Sequence, residues 1–352
     1  MSRADFRLSL VVPVYNEEES IDAFISAIDT ELAPLKDQLE IVFVNDGSRD
    51  RTREVVEQAI ARDPRVTLVN LARNFGKEAA MTAGLHQAKG DAIVPMDVDL
   101  QDPPSLILEF VKLWQTGDYD TVYGIRVDRS ADTPMKRLTA GGFYRFFNAL
   151  STSTKLPENA GDFRLIDRKV VEAIKQLPER NRFMKGLFAW AGFRAVGVPY
   201  ERPARHAGET KFNYWKLWNF ALDGLMSFSS WPLRVWSYIG VGVSFIAFLY
   251  ILKIITQVLF FGIDVPGYAS LMSVMLFLGG IQLLSLGIIG EYIGRMFVEV
   301  KQRPVYLIEG VYGQYAKQDE EQKQEVPTAN KKSAGKKAAA KAADDQQEQA
   351  SQ

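Results

Sequence analysis

At 352 residues the chain has room for one ordinary α/β catalytic domain plus an appendage, and too little for two large domains. Its 42 Lys and Arg balance 43 Asp and Glu to a net charge of −1, which gives no overall field that would draw nucleic acid; partners must be sought region by region. With no cysteine, disulfides, thiolate metal sites and Cys nucleophiles are excluded, and any metal must be held by oxygen or histidine.

The first apolar run, residues 8–14, is too short for a signal-peptide core and leads at once into Tyr15-Asn16-Glu17-Glu18-Glu19. It reads as a buried strand of a domain that starts in the cytoplasm. Further β-rich runs at 40–45, 66–70, 92–96, 121–124 and 194–200 alternate with helical spacing at 18–32, 52–61, 78–88 and 104–114. Pro103-Pro104 suits a first helical turn, where no N–H partner is lost. The alternation predicts an α/β domain over 1–210, a mainly parallel, Rossmann-like sheet covered by helices. Tyr15-Asn16-Glu17, Asp46-Gly47-Ser48 and Asp97-Val98-Asp99 each follow a predicted strand. Ligands of open doubly wound sheets bind outside the carboxyl ends of the strands, so the three clusters are expected to line one crevice.

Beyond the domain, residues 211–235 carry Trp, Tyr and Phe interrupted by Lys211, Lys216, Asn219 and Asp223, a pattern that suits an amphipathic helix in the headgroup layer or packed on the domain. Within 236–295, residues 237–261 and 268–289 are apolar stretches near the roughly 20 residues that cross a bilayer. They predict a two-helix transmembrane hairpin. Arg234 precedes it, Arg295, Lys301 and Arg303 end it, and the turn offers only Asp264, so both ends and the catalytic domain are expected on the cytoplasmic side. Gly279-Gly280, Gly287 and Gly290 would let the hairpin pack against copies of itself as a homo-oligomer. Residues 296–312 form a cytoplasmic post-membrane segment, and 313–352, rich in Lys, Ala and Gln, is expected to be disordered.

If the chain turns at Asp97-Val98-Asp99, both carboxylates can reach a hard cation, and Gln101 can add a neutral oxygen. Such a metal would neutralise the pyrophosphate of a nucleotide sugar. Asp46 and Glu17 can accept hydrogen bonds from a base or ribose. Arg73-Asn74-Phe75-Gly76-Lys77 offers a glycine turn into a helix with two cations, a cradle for phosphate. No Walker A spacing is present, and no Gly-x-Gly-x-x-Gly follows the first strand. His86 and His206 read as ordinary polar residues.

Val-Val-Pro-Val-Tyr-Asn-Glu-Glu-Glu, Val-Asn-Asp-Gly-Ser, Arg-Asn-Phe-Gly-Lys-Glu, Asp-Val-Asp-Leu-Gln-Asp-Pro and Gly-Asp-Phe-Arg-Leu resemble the motifs of family-2, GT-A-fold glycosyltransferases. Within that family the chain is similar to the polyprenyl-phosphate enzymes, above all the bacterial bactoprenol glucosyltransferases of O-antigen modification, and more distantly to dolichyl-phosphate mannose synthases. The resemblance spans residue 8 to about 308. It implies that Pro13, Tyr15, Glu17, Asp46 and Lys77 meet the nucleotide sugar together with Asp97. It further implies that Asp97, Asp99 and Gln101 hold Mg2+ or Mn2+, and that Asp162 and Asp99 stand at the reaction centre. Arg126, Arg129, Lys136, Arg205 and Lys211 would meet the acceptor phosphate. The expected reaction is inverting transfer from a UDP-sugar, taken as UDP-glucose, to undecaprenyl phosphate at the bacterial inner membrane. Aminoarabinose or mannose as the sugar, and a scaffold that binds nucleotide sugar without turnover, are the alternatives. A processive synthase is disfavoured because Gln-x-x-Arg-Trp is absent.

Overall fold

The computed structural model describes residues 3, 5–127, 160–180, 182–201, 231–261 and 267–313. Arg129, Lys136, Arg205 and Lys211, the aromatic segment 211–230, the Asp264 turn and the tail from 314 lie outside them.

Eight strands form one sheet in the order β7-β5-β6-β4-β1-β2-β3-β8. They are β1 (Leu8–Val14), β2 (Leu39–Asn45), β3 (Val66–Leu71), β4 (Ala92–Pro95), β5 (Thr121–Arg126), β6 (Ala160–Asp167), β7 (Ala195–Tyr200) and β8 (Ile308–Tyr312). The six strands expected from sequence are present with bounds shifted by a residue or two at most ends. Two were not foreseen, β6 and β8, and both run antiparallel to their neighbours. Residues 308–312 therefore do more than trail from the two long helices: they extend the sheet beyond the 1–210 domain expected from sequence.

Helices α1 (Ile21–Glu31), α2 (Thr52–Arg62) and α4 (Leu106–Gln115) cover one face. Phe24, Ile28, Val56, Phe110 and Trp114 there meet Leu8, Leu10 and Val12 of β1. On the other face, α3 (Lys77–Gln87), α5 (Arg168–Lys175) and α6 (Met184–Trp190) bring Ala80, Met81, Val171 and Leu187 against Val11, Val42 and Val69. A sheet buried on both faces needs near-continuous apolar strands, which is why β1 to β4 read so plainly in the sequence. Helix α3 lies unusually close. A Cβ on Gly84 would come within 2.3 Å of Val11 Cγ1, so only glycine lets this helix settle on β1 and β2.

From β1 the chain steps to β2 and β3 on one side and to β4 on the other. The order reverses at β1 and β4, and the crevice outside their carboxyl ends is the place where such sheets bind ligands.

Two long helices follow, α7 (Trp231–Phe261) and α8 (Tyr268–Val300). They contain both predicted spans, but α7 begins six residues earlier and α8 continues well past residue 289. Among the described residues one segment, Phe277–Val300, is long and apolar enough to cross a membrane, and a shorter apolar stretch, Tyr238–Tyr250, lies in α7. Their large apolar side chains are exposed: Phe245, Phe248, Leu259 and Phe260 on α7, Leu271, Phe277, Leu283 and Phe297 on α8.

Candidate active site

Asp97 and Asp99 follow β4 on a turn. Leu100 takes a left-handed backbone (φ 54°), an uncommon conformation for a branched residue, and Val98 is buried between the two carboxylates. The buried valine anchors the turn. Asp99 Oδ1 accepts a hydrogen bond from the Gln101 amide at 3.2 Å, which fixes the relation of these two residues.

Asp97 is gripped by Lys77 at the start of α3, with Nζ 2.6 Å from Oδ1 and 2.9 Å from Oδ2. The same ammonium lies 3.7 Å from Asp162 on β6, and Lys185 on α6 lies 3.9 Å from the other oxygen of Asp162. That oxygen, Oδ1, is buried and accepts no hydrogen bond among the described residues. Burial alone would disfavour the Asp162 carboxylate, yet Lys185, Lys77, Arg164 and Arg126 outweigh it and hold its pKa below the usual range. Lys77 is pushed the opposite way: burial would lower its pKa, but Asp97 and Asp162 raise it above that of an ordinary lysine.

Pro13, Met96, Asp97, Asp102, Arg126, Asp162 and Phe163 line one cleft, so the structure brings together a nucleotide-site candidate, a metal-site candidate, the reaction-centre candidate and one acceptor-site candidate. Arg126 ends β5 and donates to Tyr200 Oη at 3.3 Å, while Tyr200 donates to Asp102 Oδ1 at 2.6 Å. Burial, then Asp102, pushes the Tyr200 phenol up to about 12, so it stays a donor and keeps this strut intact.

The loop cluster is tied by backbone amides. Asn16 N donates to Ser48 Oγ at 3.0 Å and Glu17 N to Thr52 Oγ1 at 2.9 Å, which fastens the residues after β1 to those after β2. Asp46 accepts from the amides of Phe75 (2.7 Å) and Gly76 (2.9 Å), and a Cβ on Gly47 would strike Arg73 C and Asn74 N at 2.5 Å. Asp46 thus clamps the turn that delivers Lys77 to Asp97. Its burial raises its pKa, and the two amides offset part of that rise. Each carboxylate oxygen retains a second lone pair, so the clamp does not prevent Asp46 from also accepting a ligand donor.

The donor chemistry fits a hard cation: Asp97, Asp99 and Gln101 offer oxygen only, and the Lys77 ammonium already balances the negative charge at Asp97. Among the described residues no three His, Cys, Asp or Glu side chains gather as a metal site. Two carboxylates with the remaining positions left to water and phosphate is the usual arrangement for Mg2+ beside a nucleotide.

Two members of the cluster were not singled out from the sequence. Glu78, whose carboxylate accepts the Met184 amide at 3.2 Å, is raised to about 7, by burial first and then by Asp162. It sits inside the quoted Arg-Asn-Phe-Gly-Lys-Glu run, so its place was visible and its role was not. Lys185 carries no local signal, since it reaches Asp162 only through the packing of α6 on β6. Asp162 pairs with Lys77 and Lys185, not with the neighbouring Arg168, which instead binds the Ala88 and Gly90 carbonyls.

The glycosyl transferase family 2 model matches residues 9–175, and the GtrB C-terminal hairpin model matches residues 231–296. The SfII prophage-derived bactoprenol glucosyl transferase of Shigella flexneri is 52% identical over 304 residues, 86% of this chain and 97% of the relative. The prophage bactoprenol glucosyl transferase homolog of Escherichia coli K12 is 51% identical over 306 residues, 87% of this chain and 99% of that protein. Among solved structures, the mannosyltransferase PcManGT of Pyrobaculum calidifontis, in complex with GDP-Man and Mn2+, is 23% identical, covers 56% of each chain and has a TM-score of 0.40. That likeness is too low to bear on the site.

Proposed function

The chain belongs to glycosyl transferase family 2, and from that premise we propose that it transfers a sugar, read here as glucose, from a UDP-sugar to undecaprenyl or another polyprenyl phosphate. The identity to bactoprenol glucosyl transferases over nearly their whole length supports the lipid acceptor and the hexose. The observation that carries the reading is the single cleft shared by Asp97, Asp162 and Arg126, with Lys77 bridging the two carboxylates.

In this reading Pro13, Tyr15, Glu17 and Asp46 receive the nucleoside. Lys77 trades Asp97 for the diphosphate, which frees Asp97 to join Asp99 and Gln101 around Mg2+ or Mn2+. The bound cation would neutralise the pyrophosphate and make UDP a better leaving group. The acceptor phosphate has a second pKa of about 6 and is mostly dianionic at neutral pH, so it attacks the anomeric carbon without a strong base. The new bond from an acceptor phosphate oxygen to the anomeric carbon forms in line as the bond from that carbon to the UDP oxygen breaks, which inverts the centre and gives a β-linked lipid-phosphate sugar for cell-surface glycan modification. Asp162, held ionised by Lys185 and Lys77, orients groups more than it takes protons. Arg126, with Arg129, Lys136, Arg205 and Lys211, steers the acceptor anion toward an anionic donor.

The exposed apolar faces of α7 and α8 support a two-span hairpin in the bacterial cytoplasmic membrane, with self-packing through the small residues of α8. Lys301 and Arg303 just past α8 support a cytoplasmic catalytic domain. Purified protein given labelled UDP-glucose, Mg2+ and polyprenyl phosphate should form glycolipid. Asp99→Ala, or chelation, should cut the rate about a hundredfold or more, since metal-ion stabilisation of developing charge amounts to several kcal/mol. Undiminished transfer in both tests would overturn the metal assignment; no glycolipid with any nucleotide sugar would overturn the reaction.

A further inference from the structure

A second, larger groove lies between the turn that precedes α3 and the end of α8. Arg73 on the turn, Arg180 after α5, and Lys301 and Arg303 after α8 line it, with Phe297 and Val298 of α8 beside them. It shares no lining residue with the Asp97 cleft. Among the described residues no side-chain ion pair engages any of the four cations; Arg73 lies over the Phe75 ring at 4.2 Å and Lys301 over Phe297 at 4.0 Å, and the Arg180 backbone amide donates to both Glu299 carboxylate oxygens at 2.9 and 3.1 Å. Glu299, bound to the Arg180 amide, and Asp46, which feels the charge of Arg73, offset only part of the four positive charges, and the excess is stabilised by an anion.

The apolar half of the groove identifies the kind of anion. Exposed Ile289, Ile293, Met296 and Val300 continue the apolar surface of α8 up to the groove, while Glu291, Arg295 and Glu299 form a separate stripe. A free phosphate would use the cations and leave Phe297 and Val298, exposed at 58% and 51%, bare to water. A lipid whose acyl chains follow α8 and whose headgroup reaches the four cations uses both halves.

We propose that this groove binds the phosphate headgroup of an anionic glycerophospholipid and so seats the catalytic domain on the bilayer beside α8. The inference goes beyond the transferase reading and shares with it only the membrane setting of α8. Its link to the cleft is short: Gly76 lines the groove, its amide is held by Asp46, and the next residue, Lys77, grips Asp97.

The full chain is placed in nanodiscs of phosphatidylcholine carrying a minor fraction of spin-labelled phosphatidylglycerol, without nucleotide sugar, so that binding is read independently of turnover. Retention of the labelled lipid should fall about fivefold for each cation removed, in Lys301→Gln, in Arg303→Gln and further in the triple variant with Arg180→Gln. Lys36→Gln, remote from the groove, should match the wild type, and an unchanged melting temperature for Arg303→Gln guards against misfolding. Equal retention by wild type and triple variant would overturn the proposal. Displacement of the label by inorganic phosphate at matched concentration would overturn it in favour of a simple anion site. Displacement by polyprenyl phosphate but not by unlabelled phosphatidylglycerol would overturn it in favour of an acceptor channel.

Discussion

Lys77 and Lys185 keep Asp162 ionised, and the consequence falls on Glu78, the next carboxyl along α3. Its pKa stands at about 7 in the fold against an ordinary 4.5, because burial and the Asp162 charge both disfavour its anion. Between those values the folded chain binds a proton that the unfolded chain does not. The stabilisation is full below pH 4.5 and is lost as pH rises through 7. Glu78→Gln should therefore unfold at higher denaturant than wild type at about pH 8, by roughly 2 kcal/mol given partial exposure, and the two should converge below about pH 4.5. A constant difference across that range would show that Glu78 is ionised throughout. The same cluster shows what a sequence can reveal of a site. Asp97, Asp99 and Asp46 were legible because each ends a strand whose apolar run is unmistakable, and position along a parallel sheet converts directly into position in the crevice. Lys185 was not, because its approach to Asp162 is a matter of how α6 lies on β6, and no spacing encodes that.

At the scale of elements, β1 to β4 and α1 to α4 could be read because a strand buried on both faces must be apolar throughout. β6 could not. Its residues alternate Asp162, Phe163, Arg164, Leu165, and the polar pair, Asp162 at the cleft and Arg164 buried over the Phe188 ring, made the segment look like a motif and not a strand. β8 hides for a different reason: five residues with an acid and a glycine acquire strand character only by pairing with β3. What holds it is partly polar. Asn45 donates to Asn70 Oδ1 (2.6 Å), and Asn70 donates in turn to Glu309 on β8. Just upstream, Tyr306 is hydrogen-bonded to His86 Nδ1 at 2.6 Å. Burial, then Arg182 and Lys175, lowers the His86 pKa to about 4 from 6.5. The unfolded chain takes up a proton at 6.5 that the folded chain refuses until about 4, so this stabilisation is present above pH 6.5 and disappears as pH falls through 4. Amide exchange across 308–312, corrected for intrinsic rate, should accelerate by roughly thirtyfold over that interval, about 2 kcal/mol of local opening. His86→Asn should flatten the dependence; an unchanged pH profile in that variant would assign it elsewhere.

For the whole molecule, β8 covers what would otherwise be the open edge of β3. Unpaired edges invite association with other chains. A chain ending at Val305 keeps the hairpin and every residue of the Asp97 cleft but loses that cover. It should melt about 4–8 °C lower, the equivalent of roughly 2 kcal/mol in a domain of this size, and should sediment in detergent as larger assemblies than the full chain forms. An unchanged melting temperature and the same assembly size as the full chain would show that the edge needs no partner. Because the strand that completes the sheet is encoded after both long helices, it is also the last to leave the ribosome. Strands β1 to β7 can pair early, but the outer edge at β3 waits until α7 and α8 have emerged. Order of synthesis thus leaves the edge of β3 unsealed until both long helices have been made, so an unfinished chain carries an open strand that the finished one covers.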